Sequence, residues 1–266
     1  MQDTTNSPGS TVHDGANLGI SGGLQKRNVE VQRMQYEDVS TAVKIMEHAF
    51  EDDPFHDYLN HTPDSPPAAV SRFSRNFDAT LMWTDFTFSR QAWTVNHGDA
   101  VVGYQPARST WGIKTKILGF VIGSVILAKN LFTLSKEQKN RHQELREKHG
   151  KATEDVLGND AKEVINLQIL ATAPARQGHG YASALVKKVL EIAADEGRIT
   201  FLTSSNTKNN GFYESLGFVA RKTITLGDEN ATWDKAPVVL TLMTHEPKPQ
   251  VISSRFLDSE SVKFDN

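Results

Sequence analysis

The sequence predicts an α/β (α+β) protein in which a sheet is flanked by helices. An apolar strand, a Gly-rich turn and an amphipathic helix follow one another over residues 165–194. Two later runs, 218–226 and 238–244, are typical of antiparallel strands joined by a loop. Apolar residues at helical spacing also recur in the first third of the chain. Both element types are therefore expected on either side of the Gly-rich turn.

The elements of the first half follow from apolar spacing, caps and breakers. A helix is predicted from Asp38, its expected N-cap, to Phe50. Residues 51–60, which are broken by Pro54, should form a loop and short helix of the kind that meets substrates. The other predicted elements are a strand near 29–33, a helix from Ala68 to about Trp83, and strands at 87–93 and 100–104 joined by a turn at 97–99.

An insertion over residues 108–160 contains two contrasting segments. Residues 117–128 are nearly all apolar and are flanked by lysines. They are fewer than the roughly 20 residues that span a bilayer as a helix. We therefore expect a buried or pocket-lining helix in preference to a surface that contacts a membrane or an apolar partner. Residues 136–148 are highly charged and are expected to form a solvated helix face.

The second half has the most regular pattern. A strand at 165–170 leads through the turn at 177–182 into a helix whose apolar residues lie on one side. A strand at 199–204 and a short helix at 208–216 follow, and Gly217 is the expected stop of that helix. The antiparallel pair named above completes the domain.

The Gly-rich turn predicts a ligand that carries phosphate. Gly178 and Gly180 stand at the start of the amphipathic helix. The first turn of a helix has backbone N–H groups without partners and the positive end of the helix dipole, so it can hold an anion. Glycine lets the backbone approach that anion closely.

Composition limits the classes of partner. With 29 basic and 32 acidic residues and a net charge of -3, no overall field steers the chain toward nucleic acid. The absence of cysteine excludes disulfides, thiolate metal sites and a cysteine nucleophile, and the histidine spacing suggests no metal site. The first residues lack the features of a secretory signal, so a cytoplasmic location is expected. We expect one domain at 26–245, a disordered N-terminal tail at 1–25 and a C-terminal tail at 246–266.

Three linked pieces of sequence carry a resemblance to a known family. They are the strand end Leu170-Ala171-Thr172, the loop Gln177-Gly178-His179-Gly180-Tyr181-Ala182 with its Gln/Arg-x-x-Gly-x-Gly/Ala pattern, and Asn206 followed by Tyr213-Glu214-Ser215-Leu216-Gly217-Phe218. With them the chain resembles the GCN5-related N-acetyltransferase (GNAT) superfamily, well over residues 166–218 and elsewhere only in element order. The resemblance implies a mixed, mainly antiparallel sheet of about seven strands flanked by helices.

The resemblance also implies a site for acetyl-CoA as co-substrate, in a V-shaped gap between the fourth and fifth strands. The pyrophosphate would lie on the amides of the Gly-rich loop, and the pantetheine arm would pair with the free edge of the fourth strand. Asn206 would lie near the pantetheine or the acetyl group. The implied cofactor-binding residues are Leu170, Ala171, Thr172, Gln177, Gly178, His179, Gly180, Tyr181, Ala182, Ser183 and Asn206.

A dinucleotide site of the Rossmann type is the competing interpretation of the loop. Gly178 and Gly180 supply two of its three glycines, but Ser183 stands at the third position. Ser204 and Ser205 stand where an acidic residue would end the next strand. The acetyl-CoA site is therefore preferred.

Acetyl transfer needs a neutral nucleophile, stabilisation of the charge on the thioester oxygen and a proton for the departing thiolate. Backbone N–H groups near Leu170 or Ala171 could meet the oxygen. The resemblance makes Tyr213 the candidate catalytic acid, and the alternative is a tyrosine that only packs on a helix face. Gln168 and Asn166, on the strand where some relatives place an acid, cannot accept a proton usefully. The base is left open among a water chain and the candidates Asp52, Asp53, His56, Asp57 and His61.

The sequence thus predicts direct transfer of acetyl from acetyl-CoA to an amine in a ternary complex. The insertion is expected to build or cover the acceptor site. If residues 117–128 line that site, the acceptor is a small and partly apolar amine. Acetylation of protein N-termini or lysines is one alternative, and a CoA-binding or membrane-associated regulator without catalysis is another. The oligomeric state is not indicated.

Overall fold

A seven-stranded sheet runs through residues 29–247, the part of the chain that the computed structural model describes. The N-terminal tail predicted at 1–25, and all but the first two residues of the C-terminal tail predicted at 246–266, lie outside the described residues. The strands are β1 (Gln32–Arg33), β2 (Ala92–Val95), β3 (Ala100–Gln105), β4 (Ile165–Thr172), β5 (Thr200–Ser204), β6 (Val219–Leu226) and β7 (Val238–His245). Their spatial order is β1-β2-β3-β4-β5-β7-β6, and β4 and β5 form the parallel pair. The mixed, mainly antiparallel sheet is therefore confirmed.

Helices cover both faces of this sheet. The helices of the described residues are α1 (Val39–Ala49), α2 (Pro54–Asn60), α3 (Ala68–Phe88), α4 (Ile113–Thr133), α5 (Lys136–Leu157), α6 (Tyr181–Asp195) and α7 (Asn210–Ser215). Successive strand residues point to opposite faces. Val102 and Leu202 pack with α6, whereas Val101 packs with α1 and α3, and Phe201 packs with α2 and α5. One face of the sheet thus carries α6, and the other carries α1, α2, α3 and α5.

Strand β4 contains the irregularity that opens the sheet. A β-bulge leaves Gln168 without a partner on β3, between Leu167 and Ile169. Leu167 packs with α6, but Ile169 packs in the cluster around α1 and α3, so the bulge switches the faces of the strand. On its other edge β4 pairs with β5 only at Ile165 and Asn166. Beyond Asn166 the two strands diverge and leave the gap that the resemblance implied.

Two predicted boundaries in the first half are wrong. Helix α3 continues to Phe88, so the strand predicted at 87–93 begins only at Ala92. Trp83 and Phe86 are buried on one face of α3 and carry the helix past its predicted end. Asp38 precedes α1 without capping it, because its carboxylate accepts a hydrogen bond from the backbone N–H of Gln35 at 2.8 Å.

The insertion differs most from prediction. The apolar segment 117–128 lies in α4, which packs on α3 and has no buried residue, so the prediction of a buried or pocket-lining helix is wrong. The charged segment 136–148 lies in α5, and its prediction as a solvated face is wrong for Gln138 and Arg141, which are buried. Each of these two side chains donates a hydrogen bond to a backbone carbonyl of α2. These bonds hold α5 against α2.

Candidate active site

A cavity of about 630 Å³ lies beside the divergent end of β4, within the range of ligand pockets. Every residue predicted to bind acetyl-CoA lines it except His179. Arg176 and Lys208 add positive charge to its wall, and Asp52 and Asp53 add negative charge. The fold thus brings together three separate sequence pieces: the end of β4, the Gly-rich loop and the segment before α7. We call this space the donor cavity.

The Gly-rich loop needs glycine for its backbone conformation. Gly178 and Gly180 have φ angles of 76° and 79°, in the left-handed region that side chains disfavour. A Cβ at either position would meet no atom within 4 Å, so the requirement is conformational and not steric. The first hydrogen bond of α6 runs from Ala184 N to Gly180 O at 3.0 Å. Within the described part of the chain, the amides of residues 178–183 therefore remain available at the positive end of the helix dipole.

Polar side chains of the loop and of β4 have distinct surroundings. The Nδ1 atom of His179 lies 2.8 Å from the carbonyl oxygen of Gln177 and 3.1 Å from that of Arg176, so it carries the hydrogen and the ring steadies the loop. Asn206 Oδ1 accepts from the backbone N–H of Lys208 at 3.0 Å. The buried hydroxyl of Thr172, on a residue that lines the donor cavity, has no hydrogen-bond partner among the described residues. A ligand in the cavity could supply one.

A second cavity of about 620 Å³ adjoins the first, and we call it the acceptor cavity. Its walls come from β4, β5, α2 and α5, and none of its lining residues belongs to α4. Of the insertion, α5 therefore contributes to the wall of this cavity and α4 does not. Both cavities are lined by Phe50, Leu170, Asn209 and Tyr213. These four residues mark the junction where two ligands could meet.

Tyr213 lies at this junction. Its ring makes edge contacts with Phe212 and Phe218, with ring centroids 5.0 Å and 5.8 Å away. The packing role and the catalytic role are thus compatible, because the packed ring holds the hydroxyl in place. Burial raises the pKa of Tyr213 to about 12. The phenol is therefore protonated throughout the physiological pH range.

Three histidines line the acceptor cavity, and burial lowers the pKa of each. His56 stacks on Phe50, with ring centroids 4.8 Å apart, and the charge of Asp53 only partly offsets the effect of burial on its pKa. His142 is further affected by the nearby charge of Arg146, which also lowers its pKa. His149 Nε2 lies 2.9 Å from Thr203 Oγ1. Neutral imidazoles of this kind can accept a proton.

Asp52 lines the donor cavity, and the remaining candidate bases have structural roles or lie elsewhere. Asp53 is buried and accepts hydrogen bonds from the Phe55 backbone at 2.8 Å and the Ser205 hydroxyl at 2.9 Å. Asp57 pairs with Lys235 and His61, and neither Asp57 nor His61 lines either cavity. Within residues 29–247, no group of His, Asp and Glu side chains could hold a metal ion.

The sequence prediction assigned the acceptor side to the insertion as a whole and did not identify the α5 residues that line the cavity. His142, Leu145, Arg146 and His149 line the acceptor cavity and recur at intervals of three and four residues. This spacing places them on one helix face. The signal was present in the sequence, but the high charge of the segment led to its interpretation as a solvated face.

Comparisons with known proteins bear on the family and the fold of the chain. The model of the Acetyltransferase (GNAT) family matches residues 62–218, more than half of the 266 residues. An uncharacterized N-acetyltransferase of Schizosaccharomyces pombe is 32% identical over 84 residues, which are 32% of this chain and 32% of that relative. The match therefore spans about a third of the length of that relative.

Solved structures show the same fold. Arylalkylamine N-acetyltransferase 2 of Aedes aegypti is 16% identical, with a TM-score of 0.54 over 83% of this chain and 100% of that one. The C-terminal condensation domain of Ebony, in complex with beta-alanyl-dopamine, is 12% identical, with a TM-score of 0.58 over 82% of this chain and 98% of that one. At these identities the likeness is one of fold.

Proposed function

Because the chain belongs to the GNAT family of N-acetyltransferases, we propose that it transfers acetyl from acetyl-CoA to a small, partly apolar amine. The observation that carries the proposal is the meeting of two cavities at Tyr213, in the gap between β4 and β5. One cavity has the features of a phosphate site, and the other has an apolar and imidazole lining. A donor and an acceptor can therefore bind together.

The donor cavity fits acetyl-CoA in charge and in hydrogen bonding. The amides at the start of α6, with Arg176 and Lys208, would hold its phosphates. The edge of β4 beyond Asn166, which lacks a β5 partner, would pair with the amide groups of the pantetheine arm. When bound, acetyl-CoA supplies the activated acyl group, and the residues of the chain orient it and move protons.

The acceptor cavity favours an amine with an apolar or aromatic body. Phe50, Phe55, Leu145 and Leu240 contribute apolar surface. The sequence prediction of an apolar acceptor depended on residues 117–128 of α4. In the structure the apolar surface of the cavity comes from these four residues instead. Two proteins with the same fold, an arylalkylamine N-acetyltransferase and a domain in complex with beta-alanyl-dopamine, support the same class of acceptor.

The proposed chemistry is direct transfer in a ternary complex. The amine nitrogen forms a bond to the acetyl carbon, the carbon–sulfur bond breaks, and β4 backbone N–H groups facing the gap stabilise the carbonyl oxygen. The attacking nitrogen loses a proton to His56, whose ring stacks on Phe50 at the junction. Tyr213 gives its phenolic proton to the departing thiolate.

An acceptor panel tests the proposed function. Release of free CoA would be followed with arylalkylamines, aliphatic amines, polyamines, peptide N-termini and lysine peptides. We expect arylalkyl and other partly apolar amines to have the highest kcat/KM. Turnover of polar amines alone, or of peptides alone, would contradict the proposed acceptor. Calorimetric binding of acetyl-CoA with no CoA release from any amine would favour a regulator that binds CoA without catalysis.

Two substitutions test the assigned proton transfers. Tyr213→Phe and His56→Gln should each lower kcat on the order of 10²-fold, the usual size of a lost acid or base. The affinity for acetyl-CoA should stay unchanged in both variants. Tyr36→Phe, at an exposed tyrosine, is the matched control. Unchanged turnover in either active-site variant would remove that residue from the mechanism.

A further inference from the structure

Helix α4 is an apolar helix that the described chain leaves largely uncovered. None of its residues is buried. Its exposed large apolar residues are Ile113, Ile117, Phe120, Val121, Val125, Leu127, Leu131 and Phe132. Soluble monomers rarely expose so much contiguous apolar surface unless it binds something.

One stripe of α4 fixes the helix to the protein. Leu118, Ile122 and Lys129 are half-buried at helical spacing. On this side α4 packs on α3, and Lys129 Nζ lies 2.6 Å from both Ser74 Oγ and Asp78 Oδ2. The exposed apolar residues lie on the remaining surface. The helix is therefore held in place while most of its circumference stays free.

Two common kinds of apolar helix, the buried core helix and the N-terminal signal sequence, do not describe α4. By length and composition α4 could cross a membrane, a test that buried core helices and N-terminal signal sequences also pass. None of α4 is buried inside the protein, and it begins at residue 113. The apolar composition therefore calls for a different environment.

The topology excludes a membrane-spanning orientation. Strand β3 ends at Gln105, shortly before α4, and α5 begins at Lys136, directly after it. Strand β3 pairs with β4, which follows α5, in the same sheet. Both ends of α4 are therefore tied to one folded domain, and they cannot lie on opposite sides of a bilayer.

The charges around α4 match an anionic surface. Residues 113–133 include no aspartate or glutamate. Lys114 and Lys116 are exposed near the start of the helix, and Lys136 and Lys139 are exposed just after its end. We propose that α4 lies in the plane of a membrane surface, with its apolar face in the lipid and these lysines at anionic headgroups.

Vesicle flotation with the full chain tests this proposal. Vesicles of phosphatidylcholine would be compared with and without phosphatidylserine. We expect binding to the anionic vesicles. Phe120→Asp with Leu127→Asp should weaken it at least tenfold, whereas Lys114→Gln with Lys116→Gln should weaken it about tenfold on anionic vesicles only. Val219→Asp, at a half-exposed apolar residue of β6, is the matched control and should bind normally.

Three results would overturn the proposal. The first is no flotation of the wild-type chain with either kind of vesicle. The second is equal flotation of the Phe120→Asp and Leu127→Asp double variant, provided that it still binds acetyl-CoA and is therefore folded. The third is a dimer in light scattering without lipid that this double variant abolishes, which would make α4 an interface between two copies of the chain.

Discussion

Helices α4 and α5 follow one another and are 21 and 22 residues long, yet composition and burial are reversed between them. The apolar α4 has no buried residue. The charged α5 buries side chains and lines the acceptor cavity. The difference shows that hydrophobicity alone does not decide which helix covers a sheet. The hydrogen bonds that the polar side chains of a helix form with the rest of the protein also matter.

The anchors of α5 are hydrogen bonds of its buried polar residues. Arg141 donates to the carbonyl oxygen of Tyr58 at 2.7 Å and to the Thr232 hydroxyl at 2.9 Å, and it pairs with Glu137 at 3.0 Å. Gln138 donates to the carbonyl oxygen of Asn60 at 2.8 Å. A buried guanidinium is tolerated because its donors have partners. This network joins α5 to α2 and to the loop between β6 and β7.

The largest effect is expected from the anchor itself. Arg141→Met removes the buried cation, so Glu137 loses its ion-pair partner and the carbonyl groups of Tyr58 and Thr232 lose a hydrogen-bond donor. The free energy of unfolding should fall by about 3 kcal/mol or more. Lys116→Met on exposed α4 should change it by less than about 0.5 kcal/mol. Urea denaturation measures both, and equal midpoints would show that the network does not distinguish the two helices.

Acidification should affect the two helices differently. Burial lowers the pKa of His56, His142 and His149, so the unfolded chain takes up protons first as the pH falls below about 6.5. The stability contributed by the neutral imidazoles is therefore full above that pH and is lost as the pH falls toward the lowered pKa values. The rate of acetyl transfer should fall over the same range. Vesicle binding through α4 should not fall over this range, because the charged groups of α4 are lysines, which stay protonated there.

Denaturation midpoints, CoA release and vesicle flotation would be measured across this pH range. His149→Gln should make the stability less dependent on pH. Activity that rises on acidification would contradict the role of a neutral histidine as base. Vesicle binding that declines in parallel with activity would indicate that α4 senses the same titration as the acceptor cavity.

The smallest effect comes from one glycine in each helix. A Cβ at Gly123 of α4 or at Gly150 of α5 would meet no atom within 4 Å. Replacement by alanine should therefore stabilise either helix by roughly 0.5–1 kcal/mol. Gly150 lines the acceptor cavity, so only Gly150→Ala should raise the KM for the acceptor. A changed KM in Gly123→Ala would link α4 to acceptor binding.

Much of the fold could be predicted because its patterns are local. The spacing of apolar residues and the glycines at 178 and 180 were sufficient for the strand, turn and helix around the donor cavity. The end of α3 could not be predicted, because Trp83 and Phe86 suit a helix or a strand. Both side chains are buried on one face of α3, and this burial favours the helix.

The donor cavity was predicted better than the acceptor cavity, because its patterns are local. The donor residues belong to short motifs, and the fold places them around one cavity. The acceptor wall depends on α5, whose position is set by bonds to distant residues such as Tyr58 and Thr232. The proposed base, His56, was one of several candidates until its stacking on Phe50 placed it next to the junction.

The sequence by itself determined the parts of this protein that depend on neighbouring residues. These are the left-handed glycines of the loop, the free amides at the start of α6, and a tyrosine in the helix that follows Asn206. The tertiary structure alone decided that β4 and β5 diverge beyond Asn166, that α5 lines the acceptor cavity, and that α4 stays exposed. Each of these depends on contacts between residues far apart in the chain, whose balance of burial and hydrogen bonding no local pattern contains.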